Sequence, residues 1–273
     1  MNRRFAFALA FFCGSLFAQS VIINNPGKKP TVAIRNATIY PVTSAPIPNG
    51  TIVFSNGLIT AVGANVAVPA GATIIDGTGL SVYPGLIDSG SQVGLTEVSS
   101  VAGTNDTDEL GDLNPNARAE IAVNPHSNLI PVTRVNGITT VIAEPAGGII
   151  SGSSALIQLS GWTPQEMTLK APAAMHIHFP RLHNNPFVET PQDEEAEKEA
   201  QKNYTSQLEK LRDIFRDAQA YAKAESARSK DTSVKRFDRD VMLEALVPVV
   251  EGREPDPLSV QQERQVAALR HGS

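Results

Sequence analysis

The stretch that most constrains the fold is LSVYPGLIDSGSQVGLT, residues 80–96. Its first apolar residues lead into Pro84-Gly85, a pair typical of a turn. Leu86 and Ile87 then start an apolar run that indicates a buried strand. Because the run ends in polar residues, we expect the C-terminal end of this strand to present residues 88–92 to a cleft.

Short β-rich segments divided by turn residues precede this stretch. They comprise residues 32–40, 51–54, 58–62 and 73–76. Asn56-Gly57 lies between two of them, and both central positions of a tight hairpin turn favour a positive φ, which Asn and Gly tolerate. The sequence therefore predicts a small antiparallel sheet.

After Tyr83 the pattern changes to a longer alternation of strand and helix, which predicts parallel β/α units. The strand candidates are residues 86–93, 139–143, 174–179 and, more weakly, 258–260. A short helix is predicted over 129–136, ended by Gly137. Residues 99–128 are interpreted as a surface excursion, and the glycine- and serine-rich residues 147–154 as a flexible hinge.

Residues 191–230 form the strongest helix prediction of the chain. Apolar residues recur there at intervals of four and three, which indicates one apolar stripe on a charged helix. The stripe consists of Tyr204, Leu208, Leu211, Phe215, Ala218 and Ala222. We expect this helix to project from the fold or to pack on a partner. Further helices are predicted over 240–250 and 261–270.

The N-terminus resembles a secretory signal peptide. Arg3 and Arg4 precede an apolar run, and Ala18 is a small residue suited to cleavage before Gln19. The run is too short for a transmembrane anchor, and a lipid anchor at Cys13 is the weaker alternative. The sequence thus predicts a signal peptide at 1–18, a polar lead-in at 19–30 and a periplasmic or secreted protein. The formal net charge of −5 argues against a nucleic-acid partner.

Two stretches carry a resemblance to a known family. The run ATIIDGTGLSVYPGLID and the preceding NGTIVFSNGLITAVG resemble the amidohydrolase superfamily, particularly its imidazolonepropionase-like members. The resemblance implies an α/β protein with a small, incomplete β-sandwich domain at 31–82. It also implies a partial TIM-like barrel at 83–273, the N-terminal part of a (β/α)8 barrel. We expect the second half of that barrel to be absent.

In this family PGLID is followed by His-x-His, a pair of metal ligands. The corresponding positions here are Gly90 and Gln92. The family activity is hydrolysis of carbon–nitrogen bonds other than peptide bonds by water activated on zinc or another divalent metal. Glycine offers no ligand and an amide oxygen is a poor one. The resemblance therefore implies a hydrolase relative whose activity is impaired or absent.

Three further residues are weak candidates for metal binding. Asp88 lies at the predicted strand end, where a hydrogen-bond acceptor is the simpler interpretation. His176 and His178 form the only His-x-His pair of the chain, and residues two apart on a strand point to the same face. Packing in the core or a loop, or contact with substrate, are the alternatives to metal binding. The resemblance places this pair on about the third barrel strand.

Three hypotheses for function follow. The chain is an exported amidohydrolase-related protein, a non-catalytic binding or scaffold protein, or a fragment that needs a separately encoded second half. An incomplete barrel would expose apolar surface. We therefore expect self-association or a partner protein, bound partly through the stripe around Leu208, Leu211 and Phe215.

Export gives the first testable prediction. N-terminal sequencing of the protein recovered from the periplasm or medium should begin near Gln19, because a signal peptidase cleaves after a small residue such as Ala18. Recovery of a cytoplasmic protein that retains Met1 would contradict export.

Overall fold

The computed structural model describes residues 30–181, 190–231, 233, 235 and 237–253. These residues belong to two compact units, the first ending at Pro84 and the second beginning at Gly85. None of the described helices is both long and apolar enough to span a membrane. The predicted signal peptide, residues 19–29 of the lead-in, the strand at 258–260 and the helix at 261–270 lie outside the described residues.

The first unit is built on a five-stranded sheet with the order β3-β2-β1-β4, in which β5 also pairs with β1. Its strands are β1 (Val32–Ile39), β2 (Ile47–Ser55), β3 (Leu58–Gly63), β4 (Thr73–Asp76) and β5 (Ser81–Val82).

The first sheet is mixed, although a purely antiparallel sheet was predicted. β1, β2 and β3 pair antiparallel, as expected, whereas β4 and β5 both run parallel to β1. The connection between β3 and β4 explains this direction. Residues 64–72 lead the chain back to the end of the sheet where β1 begins, so that β4 starts there and runs in the same direction as β1. A tight hairpin turn would have made the next strand antiparallel.

The turn between β2 and β3 confirms the hairpin prediction. Asn56 and Gly57 have φ angles of 54° and 81°. Both lie in the left-handed region that a two-residue turn of this type requires at its two central positions. The local sequence therefore sets this hairpin without help from distant contacts.

The second unit contains two sheets and five α-helices among its described residues. A four-stranded sheet has the order β10-β9-β7-β6, and a separate pair joins β11 to β8. The strands are β6 (Leu86–Ser91), β7 (Ile138–Ala143), β8 (Ile150–Ser153), β9 (Ala155–Gln158), β10 (Thr168–Lys170) and β11 (Met175–Ile177). The helices are α1 (Ala119–Ala122), α2 (Leu129–Val135), α3 (Pro164–Met167), α4 (Pro191–Lys230) and α5 (Val241–Val250).

Among the described strand pairs of this unit, only β6 and β7, which α2 connects, run parallel; single parallel bridges also join Leu113 to Ile150 and Arg118 to Ser153. The other described pairs, β7 with β9, β9 with β10, and β8 with β11, are antiparallel. We predicted successive parallel β/α repeats. The prediction is correct for the β6–α2–β7 repeat and wrong for the strands that follow it. Residues 159–167, which join β9 to β10, are too few for the helical crossover that parallel strands need.

The prediction of a buried strand at 86–93 is wrong at its beginning. Leu86 and Ile87 are 60% and 67% exposed. β6 lies at the edge of its sheet, and the described residues place no layer over these two side chains. Apolar composition indicated a strand correctly, but burial depends on covering elements that composition does not reveal.

The hinge predicted at 147–154 is wrong over residues 150–153, which form the buried strand β8, whereas Gly147 and Gly148 lie in an exposed bend. All four residues of β8 are buried, and Ser151 Oγ donates a hydrogen bond of 2.6 Å to the carbonyl of Gly147. Gly152 has a φ of 118°, and a Cβ there would lie 2.6 Å from the Ala117 carbonyl oxygen. Glycine at this position therefore permits close packing and does not act as a flexible joint.

Two clusters of buried side chains hold the second unit together. One joins the β8–β11 pair to α4 and α5, with Ile150, Met175, Leu211, Phe215 and Leu246 among its members. The other packs β7 and β9 against α1, α2 and α3. The long helix is thus a component of the core and not only a projection.

The predicted bounds of α4, Pro191–Lys230, are confirmed. Its apolar stripe packs in the chain's own core, although we expected it to bind a partner. Thr190 and Asp193 form a reciprocal N-terminal capping box. Leu211 and Phe215 are fully buried within the chain's own core, so they are not available to a partner. Leu208 is half-buried.

The core role of α4 can be tested with two matched leucine substitutions. Leu211→Ala should lower the free energy of unfolding by about 2–5 kcal/mol, because it leaves a cavity in a packed core. The control is Leu110→Ala, since Leu110 is 98% exposed, and its effect should stay within about 0.5 kcal/mol. Equal effects in denaturant unfolding would contradict the packing of α4.

Candidate functional site

The candidate site lies where the parallel strands β6 and β7 end. In their register Ser91 pairs with Ala143, and the Glu144 N–H extends the pairing by donating to the Ser91 carbonyl at 2.9 Å. Parallel strands have their C-terminal ends at the same edge of a sheet. Residues that follow the two strands are therefore neighbours in space.

Asp88, Gly90 and Gln92 lie on or just after β6. Asp88 is half-buried, and its Oδ1 accepts a hydrogen bond of 3.2 Å from the Gly90 N–H. Gly90 and Gln92 are exposed. Asp88 therefore acts as a hydrogen-bond acceptor at the strand end.

Glu144 stands directly over Gly90. A Cβ built on Gly90 would lie 2.8 Å from Glu144 Oε2, closer than real Cβ contacts allow. The sequence analysis did not identify Glu144. The available signal was positional, because Glu144 directly follows the strand predicted at 139–143, which we expected to run parallel to the strand starting at Leu86.

His176 approaches the same carboxylate from β11. Its Nδ1 lies 3.9 Å from Glu144 Oε2, and only 7% of the residue is exposed. Its Nε2 is buried and has no hydrogen-bond partner among the described residues. The Nε2 edge of the imidazole is therefore enclosed by the protein, and its Nδ1 edge faces the Glu144 carboxylate.

Burial, with a smaller contribution from repulsion by His178, lowers the pKa of His176 to about 4. The imidazole is consequently uncharged at neutral pH. Although 3.9 Å lies within the range of an ion pair, the contact with Glu144 at neutral pH joins a carboxylate to a neutral imidazole. His178 follows β11 and is exposed.

Metal binding by Asp88, His176 and His178 stays a prediction. In the part of the chain that the structure describes, no group of three or more His, Cys, Asp or Glu side chains is placed to hold a metal ion. A catalytic zinc site generally uses three protein ligands and an open position. The residues at this strand end therefore do not fit the metal that the family resemblance implies.

Comparisons with known proteins agree with the resemblance. The amidohydrolase tasK of Hapsidospora irregularis is 29% identical over 151 residues, which cover 48% of this chain and 15% of the fungal protein. The solved amidohydrolase from Thermotoga maritima MSB8 is 23% identical with a TM-score of 0.72, covering 88% of this chain and 62% of that one. These matches confirm the resemblance to the amidohydrolase superfamily. No protein-family model matches the chain.

The amidohydrolase-like chain is a mixed α/β protein with several sheets, and its fold is similar to that of the Thermotoga protein. A second solved amidohydrolase, 23% identical, matches 41% of this chain with a TM-score of 0.29, which is too low to bear on the fold. The chain spans less than two thirds of the length of the amidohydrolase tasK and of the Thermotoga protein. The imidazolonepropionase-like branch stays a prediction.

The buried imidazole predicts a specific pH dependence of stability. Because the pKa of His176 falls from 6.5 to about 4 on folding, the unfolded chain binds more protons between these values. This contribution to stability is complete above pH 6.5 and is lost as the pH falls through 4. It amounts to at most about 3 kcal/mol.

Denaturant unfolding between pH 7 and 4.5 should therefore show a shallower loss of stability for His176→Gln than for the unchanged chain. The control is His126→Gln, since His126 is exposed and should keep the original slope. The slopes are compared, so an overall destabilisation by the glutamine does not affect the result. Identical slopes for the unchanged chain and His176→Gln would contradict the buried neutral imidazole.

Proposed function

We propose that this chain is an exported protein related to enzymes that hydrolyse carbon–nitrogen bonds other than peptide bonds. We further propose that metal-dependent hydrolysis is impaired or absent in the chain itself. The observation that carries the proposal is chemical: Gly90 and Gln92 occupy the positions that correspond to the family's strand-end histidines.

The side chains near this strand end support the same conclusion. A metal-activated water needs imidazole and carboxylate ligands held in a fixed arrangement around the ion, with an open position for the water. Glu144 and His176 lie near each other, but no third described ligand joins them. The ligands of a hydrolytic centre are therefore not assembled here.

We also propose that residues 31–82 correspond to a β-sandwich domain and residues 83–273 to the N-terminal part of a (β/α)8 barrel. The parallel pairing of β6 with β7 through α2 is the arrangement expected of a first barrel repeat, which supports the second assignment. The resemblance of the N-terminal residues to a signal peptide supports a periplasmic or secreted location.

A non-catalytic binding or scaffold role is the second candidate. It is favoured by exposed apolar side chains on the first sheet, which need a covering surface if the protein is to remain soluble. They are Leu58, Ile59 and Val62 on β3 and Ile74 and Ile75 on β4. We propose a partner protein or a second copy of the chain for this role, bound by that sheet. The exposed part of α4 is a separate candidate surface.

Metal analysis and activity assays on the purified chain test the first proposal. We expect far less than one equivalent of zinc or manganese per chain, and no turnover of cyclic amides or dipeptide-like amides with either metal added. Gly90→His combined with Gln92→His should bind metal weakly without restoring hydrolysis, because further ligands and an acid–base group are still needed.

Stoichiometric metal in the unchanged chain, or metal-dependent turnover by the double variant well above it, would contradict impaired hydrolysis. Light scattering on the same preparation addresses the second candidate, which predicts concentration-dependent self-association unless a partner protein is added. A monomer that stays stable at high concentration, and that co-purifies with no partner from its own cell envelope or medium, would contradict it.

A further inference from the structure

The space beside Gly90 has a different use from the one the family resemblance implies. We infer that Gly90 is a positioning residue: by carrying no side chain, it lets the Glu144 carboxylate stand beside His176 and form a carboxylate–imidazole pair at the strand end. This inference does not depend on whether the chain hydrolyses any substrate.

The geometry at Gly90 indicates that space, not backbone conformation, is what glycine provides there. Gly90 is not among the described glycines with a positive φ, so other residues could adopt its backbone conformation. A Cβ would lie 2.8 Å from Glu144 Oε2, 3.4 Å from its Cδ and 3.7 Å from its Oε1. Oε2 therefore lies too close for a side chain at position 90, whereas Cδ and Oε1 lie at ordinary contact distance.

The same carboxylate oxygen, Oε2, faces the imidazole. It lies 3.9 Å from His176 Nδ1, and no cationic side chain among the described residues lies within ion-pair distance of Glu144. The other titratable groups nearby are Asp88 on β6 and His178 after β11. Because Glu144 Oε2 faces His176 Nδ1, a movement of the carboxylate should change the surroundings of this ring nitrogen.

A side chain at position 90 and the observed position of Glu144 exclude each other. The Glu144 side chain is 41% exposed and its carboxylate ends a flexible stem, so an added methyl group would push it aside at little cost in stability. Because the displaced atom is Oε2, the movement would change its contact with His176 Nδ1. A histidine at position 90, as in the family pattern, would thus displace this pair.

The test uses NMR of ring-labelled histidine at neutral pH in the full chain. The ring ¹⁵N signals of His176 should shift in the same direction and by a similar amount in Gly90→Ala and Glu144→Gln. In the double variant they should shift no further, because both changes remove the same carboxylate. Gly103→Ala is the control, since a Cβ there meets nothing within 4 Å, and it should leave His176 unchanged.

Glu144→Ala provides a second way to remove the carboxylate and should reproduce the shift of Glu144→Gln. A Gly90→Ala chain whose His176 signals match those of the unchanged protein would overturn the inference. So would additive shifts in the double variant, because they would show that the two residues act on His176 independently. Unchanged signals in every Glu144 variant would show that the pair does not form.

Discussion

The parallel pairing of β6 with β7 is the interaction on which the candidate site depends. It aligns Ser91 with Ala143 and continues through the hydrogen bond from the Glu144 N–H to the Ser91 carbonyl. This register alone brings the Glu144 carboxylate over Gly90. His176 arrives from a different sheet, which the core shared with α4 and α5 holds in place.

Fold and chemistry are separable in this chain because they rest on different residues. The similarity to the Thermotoga amidohydrolase spans most of the described architecture, which depends on apolar patterns and turns. Metal chemistry depends on a few side chains at strand ends, and the family resemblance places Gly90 and Gln92 at two of those positions. In their neighbourhood a carboxylate and a neutral imidazole lie close together, and the described residues assemble no set of metal ligands around them.

Local rules predicted several elements correctly. The Asn56-Gly57 hairpin, the end of α2 shortly before Gly137 and the bounds of α4 follow from turn propensity, left-handed glycine and helical periodicity. The failures share a cause in long-range packing. Glycine- and serine-rich residues 147–154 suggested a hinge, yet residues 150–153 within them form a buried strand in which Gly152 packs closely against the Ala117 backbone.

The sequence by itself determined several elements, such as the β2–β3 hairpin and α4, together with the family resemblance and the absence of imidazoles from positions 90 and 92. Each of these depends on residues close together in the chain. Only the tertiary structure decided that Glu144 meets Gly90 and His176, because residues from three separate strand ends converge there. Burial likewise belongs to the tertiary structure: the packing around His176 lowers its pKa to about 4 and keeps the imidazole neutral, which no local pattern specifies.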